Sequence, residues 1–147
     1  EGRLSSESKL QIRAMLREVT EIESIGDSCY NLARTINHKY RGNEDFTEKQ
    51  YSHIHQMFQL TDDALNQMVS LVEDEGHQVD VNKSFNLENE INNYRSQLKN
   101  QNVLDVNNKE YDYQMGVHYM DLIGECEKLG DYIVNVVEAR TDMKEKK

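Results

Sequence analysis

The chain has 147 residues, no proline, seven glycines and a formal net charge of −10. This length is typical of one domain, and the scarcity of helix-breaking residues favours an all-α fold. The excess of acidic side chains disfavours binding to nucleic acid or to anionic lipid, and no apolar run approaches the roughly 18 residues of a membrane span.

The first predicted helix covers about residues 5–40 and is expected to end at Gly42. Small or apolar residues recur along it every three or four positions, which is the spacing of helices packed side by side. This first seam consists of Met15, Val19, Ile22, Gly26, Cys29, Ala33, Ile36 and Tyr40. Cys29 and the other cysteine, Cys126 in the last helix, are therefore predicted to be buried, reduced thiols.

The second predicted helix covers about residues 47–75, and Gly76 follows it. Thr47 to Gln50 has the form of a capping box, in which Thr47 and Gln50 satisfy each other's backbone N–H groups. The apolar positions behind it again follow the three-four spacing.

The third and fourth helices are predicted over about residues 84–101 and 110–142. The seam of the last helix consists of Tyr119, Ile123, Cys126, Gly130, Ile133 and Val137. Short connections force neighbouring helices to run antiparallel. The expected architecture is an elongated, antiparallel (up-down) four-helix bundle that forms a single domain over residues 1–147.

One pattern occurs twice, at residues 21–31 and again 104 positions later at residues 125–135: Glu-x-Glu-x-x-Gly-Asp-x-x-x-Asn. Gly26 and Gly130 both fall on a seam, where a missing side chain lets another helix approach closely. Glycine in a helix interior costs about 1 kcal/mol relative to alanine, which favours a packing role. The first and fourth helices are therefore predicted to be equivalent and closely packed.

The repeated carboxylates are spaced i and i+4, so Glu23 with Asp27 and Glu127 with Asp131 each project from one helix face. Because each pair lies beside a seam, we expect it near the bundle interior. There it would take up a proton, find a basic partner or coordinate a cation. The alternative is a half-solvated acidic row neutralised by Lys128, Arg34 or Arg95. Oxygen ligands of this kind suit magnesium, manganese, calcium or iron.

The stretches "IESIGDSCYNLA" and "CEKLGDYIVNVVE" resemble the acidic signature helix of PhoU domains. "LENEINNYRSQL", followed by "MGVHYMDLIGECEKLGD", is similar to the PhoU-type domain that follows the membrane portion of Na+/phosphate cotransporter-family proteins. The resemblance covers most of the first, third and fourth helices.

This resemblance implies a bundle of repeated three-helix units that regulates phosphate transport and signalling without catalysis. It also implies a bound metal ion, for which iron, zinc, manganese and magnesium are the candidates. The implied ligands are Glu127 and Asp131, Glu23 and Asp27, and Glu88 of the third helix. The residue that completes the motif of Glu88 is Asn92, an amide in place of the usual carboxylate, which lowers the expected metal affinity.

The resemblance further implies a transmembrane phosphate-transport domain upstream in the same chain, which would tether this segment to the cytoplasmic side of the plasma membrane. A homodimer is a further partner to consider, whereas nucleic acid and direct insertion of the segment into the membrane are not expected. Two alternatives stay open. One is a freestanding metal-binding regulator of phosphate signalling, and the other is a structural helical interaction module.

Overall fold

The computed structural model describes residues 2–41, 45–74 and 80–144. These residues form four helices: α1 (Ser6–Arg41), α2 (Glu48–Glu73), α3 (Val81–Asn107) and α4 (Tyr113–Lys144). No strand is present in the described part of the chain, and the all-α fold class is confirmed. The glycines predicted to follow the first and second helices lie outside the described residues.

Local hydrogen bonds fix where α2 and α3 begin. The capping box of α2 forms as predicted, because the Thr47 hydroxyl accepts from Gln50 N at 3.1 Å and Gln50 Oε1 accepts from Thr47 N at 3.0 Å. At the start of α3, the Asp80 carboxylate accepts from Asn82 N at 3.0 Å. The side chain of Asp80 thus satisfies a backbone donor that the first turn of the helix leaves free.

The third helix continues six residues beyond its predicted end, to Asn107. The prediction placed the end near residue 101, between Asn100 and Asn102. The structure instead holds Asn102 through a hydrogen bond from the Tyr111 hydroxyl at 2.6 Å. The chain turns only at Lys109, which has a φ of 59°.

The helices alternate in direction, as the up-down architecture requires. Arg17 near the start of α1 contacts Glu138 near the end of α4, whereas Ser28 farther along α1 contacts Glu125. The two helices are therefore antiparallel. α2, α3 and α4 pack mutually as a three-helix bundle, and within the described residues α1 packs on α4 alone.

Helix α4 lies at the centre of the fold, because it contacts each of the other three helices. All six residues of its predicted seam are buried. They form a common core with α2 and α3, to which Met57, Ile91 and Leu98 contribute side chains no more than 2% exposed. The seam prediction for the fourth helix is confirmed.

The seam prediction for the first helix is wrong. Met15 and Val19 are 56% and 58% exposed, and Gly26 and Cys29 are exposed as well. The residues of α1 that are buried instead are Ala14, Glu18, Ile25 and Ser28. Among the described helices α1 has only α4 as a neighbour, so one face of α1 is covered, and the more apolar stripe is not on that face. Of the two cysteines predicted to be buried, only Cys126 is.

Candidate functional site

The repeated motif joins α1 to α4 through two reciprocal hydrogen bonds. Asn135 Nδ2 donates to Glu21 Oε2 at 3.2 Å, and Asn31 Nδ2 donates to Glu125 Oε1 at 3.4 Å. Each bond joins the first glutamate of one copy to the asparagine of the other. The repeat itself carried the signal, because a glutamate and an asparagine ten residues apart face each other when two copies run antiparallel.

Glu125 has more polar partners than the other three residues in these two hydrogen bonds. The Ser28 hydroxyl donates to Glu125 Oε1 at 2.7 Å, and the Glu125 side chain is only 14% exposed. Lys128 Nζ lies 3.9 Å from Glu125 Oε2. A buried carboxylate needs such donors because desolvation otherwise destabilises its charge. Sequence reasoning did not place Ser28 at this contact.

The first predicted acidic pair lies on the outer surface. Glu23 and Asp27 are both exposed, and neither forms a hydrogen bond or ion pair within the described residues. The expectation that they lie near the bundle interior is wrong. Its physical reason is the rotation of α1, which turns Ile25 and Ser28 toward α4 and leaves the acidic pair in solvent.

The second acidic pair lies on the side of α4 that faces α3, where Glu127 is partly buried and Asp131 is exposed, so the expected interior position is wrong for Asp131. Glu127 Oε2 lies 2.5 Å from Arg95 Nε, and these side chains are 27% and 33% exposed. Of the three basic residues considered as partners, Arg95 is the one that takes this role. Glu127 is therefore neutralised by a cation of the protein itself.

Asp131 contacts a second carboxylate, that of Glu88 on α3. Burial raises the pKa of Glu88, and the hydrogen bond and negative charge of Asp131 raise it further. The charge of Glu138 acts in the same direction, while a hydrogen bond with the Asn92 side chain opposes the shift. Two carboxylates in contact favour a shared proton or a bridging cation, since both cannot be charged without a cost.

Gly130, the glycine of the second motif, lies next to α3. A Cβ atom built on Gly130 would lie 3.4 Å from Ile91 Cδ1, so the Ile91 side chain of α3 packs directly against this glycine. A Cβ atom on Gly26 would have no atom within 4 Å. A neighbouring helix therefore contacts Gly130 and not Gly26, and that helix is α3 and not α1, although α1 and α4 do pack against each other.

The donor atoms at this junction determine which metal ions it fits. The Asn92 Oδ1 atom is buried without a hydrogen-bond partner, one turn along α3 from Glu88. Together with Glu88 and Asp131 it offers two carboxylates and an amide oxygen. This all-oxygen set fits magnesium or manganese, with water completing the coordination, and lacks the histidine or cysteine that zinc prefers. No group of three His, Cys, Asp or Glu side chains with the arrangement of a metal site occurs in the described part of the chain.

A polar groove lined by residues of α1, α3 and α4 combines both signs of charge. Its lining includes Arg34, Arg95 and Lys128 together with Asp121 and Glu125. Arg95 and Lys128 are already close to carboxylates. The groove therefore offers little uncompensated positive charge to an anion such as phosphate.

Another polar pair, formed by His53 and Tyr119, joins α2 to α4. The Tyr119 hydroxyl lies 2.9 Å from His53 Nδ1, and burial raises the pKa of Tyr119. Burial lowers the pKa of His53, and the charge of Lys49 lowers it further. Burial also raises the pKa of the Cys126 thiol to about 12, so it is protonated at neutral pH and is a weak nucleophile.

A family model described as PhoU domain matches residues 54–139. The match covers most of α2, all of α3 and most of α4, which is the three-helix bundle that contains the contact between Glu88 and Asp131. Comparison with curated proteins and with solved structures gave no match. In the described residues, none of the helices has both the length and the apolar character needed to cross a membrane. With more than half of its length matched by this family model, the chain belongs to the PhoU domain family.

Proposed function

We propose that this domain regulates phosphate transport as the cytoplasmic PhoU-type module of a Na+/phosphate cotransporter, without catalysing a reaction. The match to the PhoU domain over residues 54–139 carries the proposal. The similarity of residues 87–98 and 115–131 to the domain that follows the membrane portion of such transporters supports the finer assignment. In this proposal, the transmembrane phosphate-transport domain lies upstream in the same polypeptide.

The junction between α3 and α4 is the proposed control point. A divalent cation held by Glu88 and Asp131, with Asn92 as a third oxygen donor, would supply positive charge between two carboxylates that otherwise repel. Glu127 remains paired with Arg95 in this proposal. Glu23 and Asp27 are not assigned a metal, because no second helix faces them in the described part of the chain. Cation occupancy would then tighten the contact of α3 with α4.

Thermal unfolding with added magnesium, manganese, iron or zinc tests the metal assignment. A cation that binds only the native state stabilises it, by about 2.7 kcal/mol at a concentration of 100 times its Kd. We expect manganese or magnesium to raise the Tm of the wild type. A Glu88→Gln, Asp131→Asn variant should lose this response.

The matched control is Glu23→Gln, Asp27→Asn, which changes the corresponding number of charges on α1 and should keep the metal response. A Tm unmoved by all four ions, with less than about a tenth of a metal ion per chain by elemental analysis, would contradict metal binding. A response retained by the Glu88→Gln, Asp131→Asn variant would contradict the assigned ligands.

Phosphate uptake in cells that express the natural full-length protein tests the regulatory role. We expect sodium-dependent uptake of radiolabelled phosphate to change when residues 1–147 are deleted, and to respond differently to external phosphate. Unchanged uptake after this deletion, with the remaining protein present at wild-type levels, would contradict the proposal.

Membrane fractionation and the natural sequence before residue 1 separate this proposal from a freestanding regulator. Tethering requires several upstream apolar segments of roughly 20 residues each and recovery of the protein with membranes. Recovery in the soluble fraction would instead favour a freestanding regulator. The exposed apolar stripe of α1 favours a role in protein association under either arrangement.

A further inference from the structure

His53 of α2 lies beside tyrosines from the two helices that pack on α2. Its ring centroid is 6.3 Å from that of Tyr94 on α3 and 6.4 Å from that of Tyr119 on α4. His53 is half-buried, whereas His55, two residues farther along α2, is exposed. A change in the charge of His53 therefore affects a junction of three packed helices, while a change at His55 affects a solvated surface.

The hydroxyl of Tyr119 depends on His53 for its hydrogen bond. Tyr119 is 2% exposed, and its hydroxyl oxygen lies 2.9 Å from His53 Nδ1. Within the described residues, this nitrogen is the one hydrogen-bond partner of the hydroxyl. The Tyr94 hydroxyl, by contrast, donates to Gln56 Oε1 at 3.0 Å and does not need the histidine.

The direction of the hydrogen bond between His53 and Tyr119 depends on the charge of the imidazole. A neutral imidazole has one nitrogen that accepts a hydrogen bond, whereas both nitrogens of a charged imidazole are donors. While His53 is neutral with its proton on Nε2, Nδ1 can accept from the Tyr119 hydroxyl. Once His53 is charged, Nδ1 donates to the hydroxyl oxygen, and the hydroxyl proton has no acceptor among the described residues. A buried donor without an acceptor destabilises the folded state.

The charged and titratable groups around this contact come from every element packed there. They are Lys49 of α2, Tyr94 and Asp105 of α3, Tyr111 of the connection between α3 and α4, and Tyr119 of α4. Burial lowers the pKa of His53 and the charge of Lys49 lowers it further, whereas the charge of Asp105 acts in the opposite direction. Asp105 Oδ2 lies 3.5 Å from Lys49 Nζ, and within the described residues Asp105 forms no ion pair with His53. Burial raises the pKa of Tyr94 and of Tyr119, so both hydroxyls keep their protons while His53 titrates.

We propose that the contact between His53 and Tyr119 is a pH-sensitive device, which holds α2 against α4 while His53 is neutral and weakens when His53 binds a proton. The pKa of His53 in the native state lies below its ordinary value of 6.5, so the unfolded chain binds a proton that the native state does not. The stabilisation is therefore complete above pH 6.5 and is lost as pH falls through the lowered pKa. Neither residue is among the oxygen ligands proposed for the metal, so this response to acid does not depend on a cation.

Nitrogen-15 NMR of the imidazole side chains tests the proposal in the metal-free wild type. At about pH 8, we expect His53 Nδ1 to have the chemical shift of an unprotonated nitrogen and Nε2 that of a protonated one. Lowering the pH should give a titration midpoint below 6.5 for His53. His53→Gln assigns the signals, since it removes this imidazole alone.

Removal of one hydroxyl separates the effect of the hydrogen bond from that of burial. Tyr119→Phe keeps the ring and deletes the donor that favours neutral His53, so it should raise the titration midpoint of His53. Tyr94→Phe is the matched control, because it deletes a hydroxyl that bonds to Gln56 from the other ring beside His53. It should change the midpoint much less.

Thermal unfolding measures the consequence for the fold. The Tm of the wild type relative to that of His53→Gln should decrease from about pH 8 to about pH 5, because the variant has no proton to take up at this position. His55→Gln is the matched control, since it keeps His53. It should show the same decrease relative to His53→Gln as the wild type does.

Three outcomes would overturn the proposal. The first is a titration midpoint of His53 at or above 6.5, and the second is a protonated Nδ1 at about pH 8. The third is an equal shift of the midpoint in Tyr119→Phe and Tyr94→Phe, which would exclude the assigned hydrogen bond. The two NMR measurements on the wild type decide the question even if a variant does not fold.

Discussion

Helices α1 and α4 carry one motif but have different surroundings. In α4, Glu127 pairs with Arg95 and Asp131 contacts Glu88, whereas the corresponding Glu23 and Asp27 of α1 face solvent. The difference arises because, in the part of the chain that the structure describes, α4 contacts three helices and α1 contacts one. A motif therefore fixes which side chains share a helix face, and the neighbouring helices decide whether that face becomes a core, a charged junction or a surface.

The largest expected effect on the free energy of unfolding comes from a substitution in the seam of α4. Ile123→Ala removes a side chain that is 0% exposed and should lower the free energy of unfolding by about 2–5 kcal/mol. Val19→Ala at the corresponding position, 58% exposed, should change it by less than about 0.5 kcal/mol. Urea unfolding at low micromolar concentration measures both. Equal losses from the two substitutions would show that Val19 is buried in solution.

The two glycines give the next contrast. Gly130→Leu should lower the free energy of unfolding by about 1–3 kcal/mol, because the new side chain meets Ile91. Gly26→Leu should raise it by up to about 1 kcal/mol at the same low concentration, since leucine favours a helix and open space surrounds this position. The same unfolding measurement applies. A loss of stability in the Gly26→Leu monomer would mean that a neighbour lies over this surface.

The ion pair between Glu127 and Arg95 predicts a smaller difference in the free energy of unfolding. Glu127→Gln should lower the free energy of unfolding by at most about 1 kcal/mol, because it leaves the Arg95 guanidinium without its partner at a partly exposed position. Glu23→Gln should change it by a few tenths of a kcal/mol. Repeating the unfolding in about 1 M salt should reduce the effect of Glu127→Gln through screening. An effect that is unchanged by salt would contradict an electrostatic origin.

The contact of Glu88 with Asp131 predicts a small pH dependence in metal-free buffer. The pKa of Glu88 in the native state lies above its ordinary value of 4.5, so the native state keeps a proton that the unfolded chain has lost. The stabilisation is therefore complete below pH 4.5 and is lost as pH rises through the raised pKa. Glu88→Gln avoids this loss. Relative to wild type, its stability should increase as pH rises from 4 to 8. A difference independent of pH would contradict the raised pKa.

The predictable part of the fold is the part governed by local rules. The capping box at Thr47 and the seam of α4 follow from short-range hydrogen bonds and helical spacing, and both are present. The end of α3 was not predictable in this way. The intrinsic preference of asparagine for turns favours a helix end near Asn102. The hydrogen bond that stabilises Asn102 within the helix comes from Tyr111, which lies in the connection to the next helix.

The face of α1 was mispredicted for a different physical reason. Its covered side contains Ala14, Glu18 and Ser28, which are small or polar and give a weak apolar signal. Hydrophobic spacing selected the stronger stripe, which the described structure leaves uncovered. At the candidate site, spacing placed Glu127 and Asp131 on one face, but it could not choose among three basic residues as the partner of Glu127. That choice depends on how α3 lies against α4.

The paired hydrogen bonds between α1 and α4 also restrict sliding. If α1 moved by one turn along α4, Asn31 would leave Glu125 at the same moment as Asn135 left Glu21, since both contacts depend on one alignment. Glu125 would then lose the Ser28 hydroxyl as well. No intermediate alignment keeps half of these contacts. We therefore expect α1 to bind or leave α4 as a unit and not to slide along it.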